Sequence, residues 1–330
     1  MLKSLTYTFL LALSLVVVNS CQEVIDLELP PNEAELVIEA YLTDLDFFIP
    51  EQDLDCSGII TIPKSEIELA AGLAAQFPID SIENVTDYFP FNKVILTSTS
   101  DYFSNAAPPP VSNAVVQLFK NNILAETLIE DPSIPGTYRF THDPEVGASY
   151  HLEIEALDNF YETDPQIYNS VPPLLGVNAV YNSNFIQDSC AYYLGIDTYE
   201  KPGLGDHYRW MFYINNEYVD SPFFISVFDD AQIDGLCLFE FDVYGNELDL
   251  GDTIVVFQVR TNEGYSNFIN SLRNQTAFVG GPFDTPPAPI RGNLKNVTTG
   301  KEAFGYFVAG GVSANAGFVP NEIPAEGCGI

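Results

Sequence analysis

The sequence predicts a mostly β fold, with a sandwich in its first half and a second β-rich domain in its second half. Short segments rich in β-branched and aromatic residues recur along the chain, and Gly, Pro and Asp separate them, which is the spacing typical of β-sandwiches. Hydrophobic residues make up 46% of the chain and aromatic residues 13%, so a substantial core is expected despite the acidic composition.

The first residues have the pattern of a signal peptide that ends at Cys21. Lys3 supplies a positive start, and the apolar run over 5–18 is too short to span a bilayer comfortably. Ser20 places a small residue before the cysteine, as in bacterial lipoprotein signals. We therefore expect residues 1–20 to be removed and Cys21 to be acylated, which anchors the chain in membrane lipid. Ordinary secretion with Cys21 in a disulfide is the alternative.

The first half of the mature chain is predicted to be a tether followed by the sandwich. Residues 21–34 are acidic and contain two consecutive prolines, which favour extended backbone. The sandwich is expected over 35–172, with an insertion at 45–92 whose capping-box pattern and helical spacing of apolar residues predict short helices. Its strands are predicted at 35–43, 93–99, 114–119, 123–129, 136–141 and 149–156.

A proline-containing linker at 170–174 is predicted to end the sandwich, so that the second domain covers 173–330. One helical pattern occurs in this half, at 265–274, and the proline-rich segment 282–292 is predicted to be loop. The strands of this half are predicted at 208–215, 223–228, 236–242 and 253–260, with a final strand at 303–310.

The charge of the chain excludes some classes of partner. It carries 12 Lys and Arg against 46 Asp and Glu, a net charge of −34 that becomes −35 when Lys3 leaves with the signal peptide. Nucleic-acid binding depends on Lys and Arg that neutralise phosphates, so we expect no nucleic-acid partner. The same negative charge repels anionic lipid head groups. We therefore expect the acyl chains at Cys21, and not a basic patch, to attach the protein to the membrane.

Four cysteines remain beside Cys21, an even number in a chain that is expected to be exported. Two disulfides in any of three connectivities would use them all, and buried free thiols are the alternative. The absence of a CxxC pair gives little support to a redox or zinc site. The disulfide candidates are Cys56, Cys190, Cys237 and Cys328.

Several phrases of the sequence, taken in order, resemble one family. They are IDLELP at 25–30, ELVIEAYLTD at 35–44, SDYFSNAAPPPVSNAVVQL at 100–118, GTYRF at 136–140, SVPPL at 170–174, HYRWMFYINN at 207–216, PFDTPPAPIRGNLKN at 282–296 and FGYFVAGGVS at 304–313. In this order they are similar to the Bacteroidota outer-membrane lipoproteins known as domain of unknown function 4249. The insertion at 45–92 departs from that family, whose first two strands have a shorter connection.

The resemblance implies an immunoglobulin-like N-terminal sandwich and a lipid-anchored place in the outer membrane. It also implies a non-enzymatic accessory to a Sus-type TonB-dependent receptor in nutrient capture or uptake, and it supplies no catalytic residues. The acidic tether is similar to the surface-export signals of such lipoproteins, so we expect the protein to face the cell surface. A structural subunit of an outer-membrane assembly or secretion complex, and a hydrolase of an extracellular polymer, are the alternatives.

One acidic stretch resembles the start of a calcium-binding loop. Asp53, Asp55 and Ser57 would supply oxygen ligands at alternate positions, followed by a glycine that permits the turn. The twelfth position is Lys64, a cation where the loop needs a bidentate Glu, and a solvated acidic loop is therefore the alternative. Calcium is the one cofactor that the sequence suggests. A second candidate set comprises Asp229, Asp230 and Asp234.

Aromatic residues are the candidates for ligand stacking, although burial in the core is the interpretation that we favour. Tyr208, Trp210 and Phe212 alternate along one strand face, which is typical of core residues. The three histidines, His142, His151 and His207, lack the spacing of a zinc site. The aromatic candidates are Tyr102, Phe103, Tyr208, Trp210, Tyr213, Tyr244 and Tyr265.

Overall fold

A computed structural model describes residues 34–44, 90–100, 106–184, 189–276, 290–325 and Cys328. Within these residues the chain forms strands, a short 3-10 helix at Pro222–Phe224 and the helix α1 (Glu263–Thr276), so the mostly β prediction is confirmed. The strands are β1 (Leu36–Leu42), β2 (Lys93–Ser98), β3 (Val115–Lys120), β4 (Ile123–Thr127), β5 (Ile129–Glu130), β6 (Thr137–Arg139), β7 (Ser149–Ala156), β8 (Asn159–Thr163), β9 (Gln166–Ile167), β10 (Leu174–Asn184), β11 (Ser189–Tyr199), β12 (His207–Ile214), β13 (Glu217–Tyr218), β14 (Ser226–Asp229), β15 (Cys237–Leu248), β16 (Thr253–Thr261), β17 (Arg291–Asn296), β18 (Glu302–Ala309) and β19 (Val312–Phe318).

Eleven strands form one large sheet in the order β4-β3-β7-β8-β17-β18-β1-β2-β6-β5, with β9 paired to β7. The two ends of this order, β4 and β5, follow each other in the chain. The sheet therefore folds back on itself, and side chains from both of its halves, such as Ile38, Leu152 and Phe307, meet in one core. The immunoglobulin-like assignment of this region stays a prediction.

Strand β1 lies in the middle of the large sheet. Its alternate side chains point to opposite faces of the sheet, and both faces are covered by apolar residues. Ile38 and Leu42 point into the core of the large sheet, whereas Tyr41 points to the opposite face. β1 pairs antiparallel with β2 and parallel with β18. Because β17 and β18 come from beyond residue 173, sheet pairing crosses the predicted domain boundary, and the limits of the two predicted domains stay a prediction.

Two smaller sheets complete the fold. The central sheet has the order β13-β12-β16-β19 with β14 on β12, and the outer sheet has the order β10-β11-β15. One face of the central sheet packs on the large sheet and α1, through residues such as Met211 and Phe257. The other face packs on the outer sheet, through residues such as Phe212 and Val256. Burial on both faces explains why β12 and β16 read as nearly continuous apolar runs.

The helix predicted at 265–274 is confirmed and is slightly longer. Its first turn is fixed by Asn262, whose Oδ1 accepts a hydrogen bond of 2.8 Å from the backbone N–H of Tyr265. Tyr265 and Ile269 are one turn apart and are buried against the central and large sheets, which places the apolar side of α1 in the core.

Several local predictions are wrong. The strand predicted to be the last one is followed by a further strand, β19. Strands β10, β11 and β17 were not predicted. Because β17 begins at Arg291, Arg291 and Gly292 lie in a strand rather than in the predicted loop. Phe223 and Phe224 lie in the 3-10 helix rather than a strand. The strand pattern of β19 is weak because the strand contains small residues. Close packing explains the glycine, since a Cβ at Gly317 would lie 2.4 Å from the carbonyl oxygen of Val177.

Three of the cysteine candidates are in disulfides. Cys190 and Cys328 are bonded to each other across 138 residues, with their Cα atoms 5.9 Å apart, and this bond ties the end of the described chain to β11. Cys237 is also disulfide-bonded. Cys21, Cys56 and the calcium candidates Asp53, Asp55 and Ser57 lie outside the described residues, as do 21–33 of the tether and 45–89 of the insertion.

We predict that Gly305→Ala destabilises the protein far more than Gly300→Ala. Both glycines have positive φ, +90° and +68°, but a Cβ at Gly305 would lie 1.8 Å from the carbonyl oxygen of Ile38, whereas Gly300 faces open space. Gly300→Ala should lower the free energy of unfolding by about 1 kcal/mol, the cost of left-handed backbone. Gly305→Ala should cost at least about 2 kcal/mol more because β1 and β18 must separate.

Urea denaturation followed by the fluorescence of Trp210, the single tryptophan, measures both variants. Equal losses of stability in the two variants would contradict the close approach of β1 and β18.

Candidate functional site in the central sheet

Polar side chains lie on both faces of the central sheet at one end, where β12 begins and β16 ends. The register places Tyr208 opposite Arg260 and Arg209 opposite Val259. Because neighbours along a strand point to opposite faces, Tyr208 and Arg209 belong to two different groups. The acidic cluster, toward the outer sheet, comprises Glu200, Asp206, Tyr208, Asp230 and Arg260. The phenol cluster, toward the large sheet, comprises Tyr41, Arg209, Tyr218 and Tyr265.

Three carboxylates meet in the acidic cluster. One oxygen each of Glu200, Asp206 and Asp230 lies within 4.8 Å of the others. Glu200 and Asp230 are only 2% and 3% exposed. Buried carboxylates require hydrogen bonds, a cation or protonation, so the partners of these oxygens decide what the cluster can do.

Most of the carboxylate oxygens have partners within the chain. Asp230 accepts hydrogen bonds from the backbone N–H groups of Gly205, at 2.9 Å, and Asp206, at 3.0 Å. The hydroxyl of Tyr208 lies 2.9 Å from Glu200 Oε1 and 3.2 Å from Asp206 Oδ2, so its proton serves both carboxyl groups. These bonds fix the loop between β11 and β12.

Arg260 supplies the positive charge of the acidic cluster. Its Nη2 donates to Asp206 Oδ1, and its Nη1 donates to the hydroxyl of Tyr208 at 3.1 Å. A guanidinium bonded to Asp206 holds the charge that a divalent cation would supply, so the cluster fits calcium poorly. The Nε atom of Arg260 is enclosed without a hydrogen-bond partner among the described residues.

The two neighbouring carboxyl groups differ in their affinity for a proton. Burial raises the pKa of Glu200 to about 7, and the nearby charge of Asp206 acts in the same direction. Burial also acts to raise the pKa of Asp206, but its hydrogen bond and ion pair with Arg260 bring that pKa below its ordinary value. At mildly acidic pH the pair therefore holds one proton, mainly on Glu200, and this proton is lost as the pH rises through about 7.

The second predicted calcium set is wrong. The structure brings a carboxylate oxygen of Asp230 together with those of Glu200 and Asp206, whereas Asp229 and Asp234 are not part of this group. Asp229 Oδ1 accepts the N–H of Ala231 at 3.1 Å, and Asp234 Oδ1 accepts the N–H of Gly203 at 2.6 Å. The bond of Asp229 to a residue two positions further on is typical of acids that fix turns, whereas the bond of Asp234 joins it to the loop between β11 and β12.

The phenol cluster surrounds a buried cation with neutral oxygens. Arg209 Nη1 donates to Tyr41 at 2.6 Å and also to Tyr265, and Nη2 donates to Tyr218 at 3.0 Å. The hydroxyls of Tyr41 and Tyr265 are 2.6 Å apart and share one hydrogen bond. Burial raises the pKa of both phenols although Arg209 acts to lower it, so both remain neutral at physiological pH.

Most of the other candidates from the sequence are core residues. Tyr208, Trp210, Tyr213, Tyr244 and Tyr265 are all buried, at most 9% exposed, which confirms the core interpretation for these five. Tyr102 and Phe103 lie outside the described residues. The described histidines are scattered: His142 contacts Tyr150, His151 stacks on Phe119, and His207 contacts Ser266.

Sequence reasoning missed Glu200, Asp206, Arg209 and Arg260 as site residues. The arginines did leave a signal, since each interrupts an otherwise apolar strand that is buried on both faces, and a buried arginine needs partners. Glu200 and Asp206 gave no such signal in the sequence, because the residues that bind them are distant in sequence.

Comparison with known protein families places the chain in one of them. The family described as "Domain of unknown function (DUF4249)" matches residues 92–315, a range that contains all of both clusters except Tyr41. No curated protein matches the sequence. Among the described residues, the structure contains no helix with the length and hydropathy needed to cross a membrane.

We predict that Glu200→Gln removes a pH dependence of stability. The folded-state pKa of about 7 exceeds the ordinary value of 4.5, so folding holds the Glu200 proton more tightly than the unfolded chain does. This stabilisation is present below about pH 4.5 and is lost as the pH rises to about 7. At pH 8 the variant should be more stable than the wild type, by up to about 3 kcal/mol.

Urea denaturation at a series of pH values from 5 to 8 makes this measurement. Glu155→Gln is the matched control because it removes the same charge from an exposed position on β7. Identical slopes of stability against pH in the wild type and Glu200→Gln would show that Glu200 is not the group that titrates.

Proposed function

This chain belongs to the family described as domain of unknown function (DUF4249), and from that membership we propose that it is a non-enzymatic, surface-facing lipoprotein of the outer membrane. In this proposal it assists a TonB-dependent receptor in nutrient capture or uptake. The observation that carries the proposal is the N-terminal pattern, in which a short apolar run after Lys3 ends at Cys21.

The position of β1 is consistent with an acyl anchor. β1 begins at Leu36, fifteen residues after Cys21. A fully extended chain of that length spans at most about 50 Å, so the folded part would remain near the membrane surface. Acylation at Cys21 would therefore place the large sheet within reach of a membrane receptor.

An exposed edge of the large sheet suits a protein partner. No described strand pairs with the second edge of β4 or of β5, which end the strand order and follow each other in the chain, so we treat them as one exposed edge. Ile123 is 72% exposed and Ile129, on β5, is 80% exposed. Sheet edges with exposed apolar side chains tend to pair with another chain, so soluble proteins normally protect them. We assign this edge to a strand or loop of the barrel receptor, bound by addition to the sheet.

The acidic cluster supports a structural rather than a catalytic use of its carboxylates. Asp230 is committed to backbone N–H groups, and Asp206 is committed to Arg260. These bonds hold the loop between β11 and β12 against the central sheet, which accounts for the burial of the cluster without a substrate.

We predict that the tagged, full-length protein recovers a TonB-dependent receptor from its native outer membrane in mild detergent, in near-equal amount by mass spectrometry. Ile129→Asp should reduce this recovery at unchanged expression, because it places a charge in the proposed contact. Val297→Asp is the matched control, since Val297 is a β-branched residue that is 54% exposed in the turn between β17 and β18, away from the proposed contact.

Recovery of an assembly or secretion barrel instead would overturn the uptake role and favour a structural subunit. Recovery of no barrel would overturn both. Cys21→Ala separates the anchor from the contact, because it should release the protein from the membrane fraction and leave Ile129 unaltered.

A further inference from the structure

The phenol cluster has more hydrogen-bond donors than acceptors. Arg209 has five N–H groups, of which three bind the hydroxyls of Tyr41, Tyr218 and Tyr265. The other two have no acceptor among the described residues. The three hydroxyls bring three protons, and the bond between Tyr41 and Tyr265 uses one of them. Two hydroxyl protons are therefore also without a described acceptor.

The charge of the cluster is also unbalanced. Arg209 is 8% exposed, and all of its described partners are neutral phenols. The negative charge of Glu39 acts to raise the pKa of Tyr41 and of Tyr265. Glu39 is exposed on β1, however, and makes no described hydrogen bond or ion pair with Arg209. A buried cation without an anionic partner is costly, so an anion that reached it would be bound favourably.

We propose that the phenol cluster binds the carboxylate group of a ligand. The two N–H groups without a described acceptor belong to Nε and Nη2 of Arg209, and Nε–H lies on the same edge of the planar guanidinium as one of the two N–H groups of Nη2. A carboxylate can accept both in two parallel bonds, and this geometry favours carboxylate over a spherical anion.

The entrance to this site is at Tyr218. Its side chain is 39% exposed, and its ring lies 5.2 Å from that of Tyr213. Its hydroxyl accepts from Arg209 and can donate its own proton outward. Arg209 Nε has no described acceptor, but it is not fully enclosed by the described residues. A carboxylate that enters beside Tyr218 would therefore meet this hydroxyl and the edge of Arg209 that has no acceptor among the described residues.

Isothermal titration calorimetry of the full mature chain tests this site with sodium benzoate and with an N-acetylated pentapeptide that has a free C-terminal carboxylate. The C-terminal amide of the peptide and sodium chloride are the ligand controls. We expect saturable binding of a carboxylate and none of either control. Binding of benzoate alone would identify a small carboxylic acid as the ligand class, and binding of the peptide acid would identify a chain terminus.

Two variants connect binding to the cluster. Arg209→Lys keeps the charge but loses the planar pair of donors, so affinity should fall at least about tenfold. Tyr218→Phe removes one hydroxyl at the exposed rim, where folding is not at risk, and should weaken binding by about two- to tenfold. Arg139→Lys makes the same replacement at an arginine paired with Asp131 on the large sheet and should bind as the wild type does.

Absence of saturable binding to both carboxylates would overturn the proposal. Wild-type affinity in Tyr218→Phe and in a folded Arg209→Lys would also overturn it, because the ligand would then bind elsewhere.

Discussion

The central sheet is buried on both faces, and the other two sheets and α1 are arranged around it. The large sheet and α1 cover one face, and the outer sheet covers the other. Strands β12 and β16 can be buried in this way because both of their faces are apolar along most of their length. Phe257 and Phe212, fully buried on opposite faces, show that the sheet belongs to two cores at once.

The contacts of the polar residues within this sheet follow from the same burial, since each buried donor or acceptor needs a partner. Gln258 accepts a hydrogen bond from Trp210 Nε1 at 3.0 Å and donates to the carbonyl oxygen of Pro172 at 2.9 Å. The predicted linker is thereby held to the central sheet. Arg209 and Arg260 bind phenols and an acid from three different parts of the chain, and these contacts connect the sheets.

Local patterns in the sequence predicted much of the fold. β7 has the predicted bounds because its apolar residues alternate cleanly, and α1 was predicted from the spacing of Phe268, Ile269 and Leu272. β19 was missed because Ala and Gly carry a weak strand signal, although close packing against Val177 requires them. The two clusters were missed because residues as far apart as Tyr41 and Arg209 meet only through tertiary packing.

Native-state hydrogen exchange of the mature chain, with increasing urea, tests most directly whether the shared sheets make the two halves one folding unit. We expect the amides of β1 and β16 to exchange with the same free energy and the same urea dependence, because β17 and β18 complete the large sheet from the second half. If the amides of β1–β9 exchanged at a lower free energy than those of β12 and β16, and with a different urea dependence, the two halves would not form one folding unit.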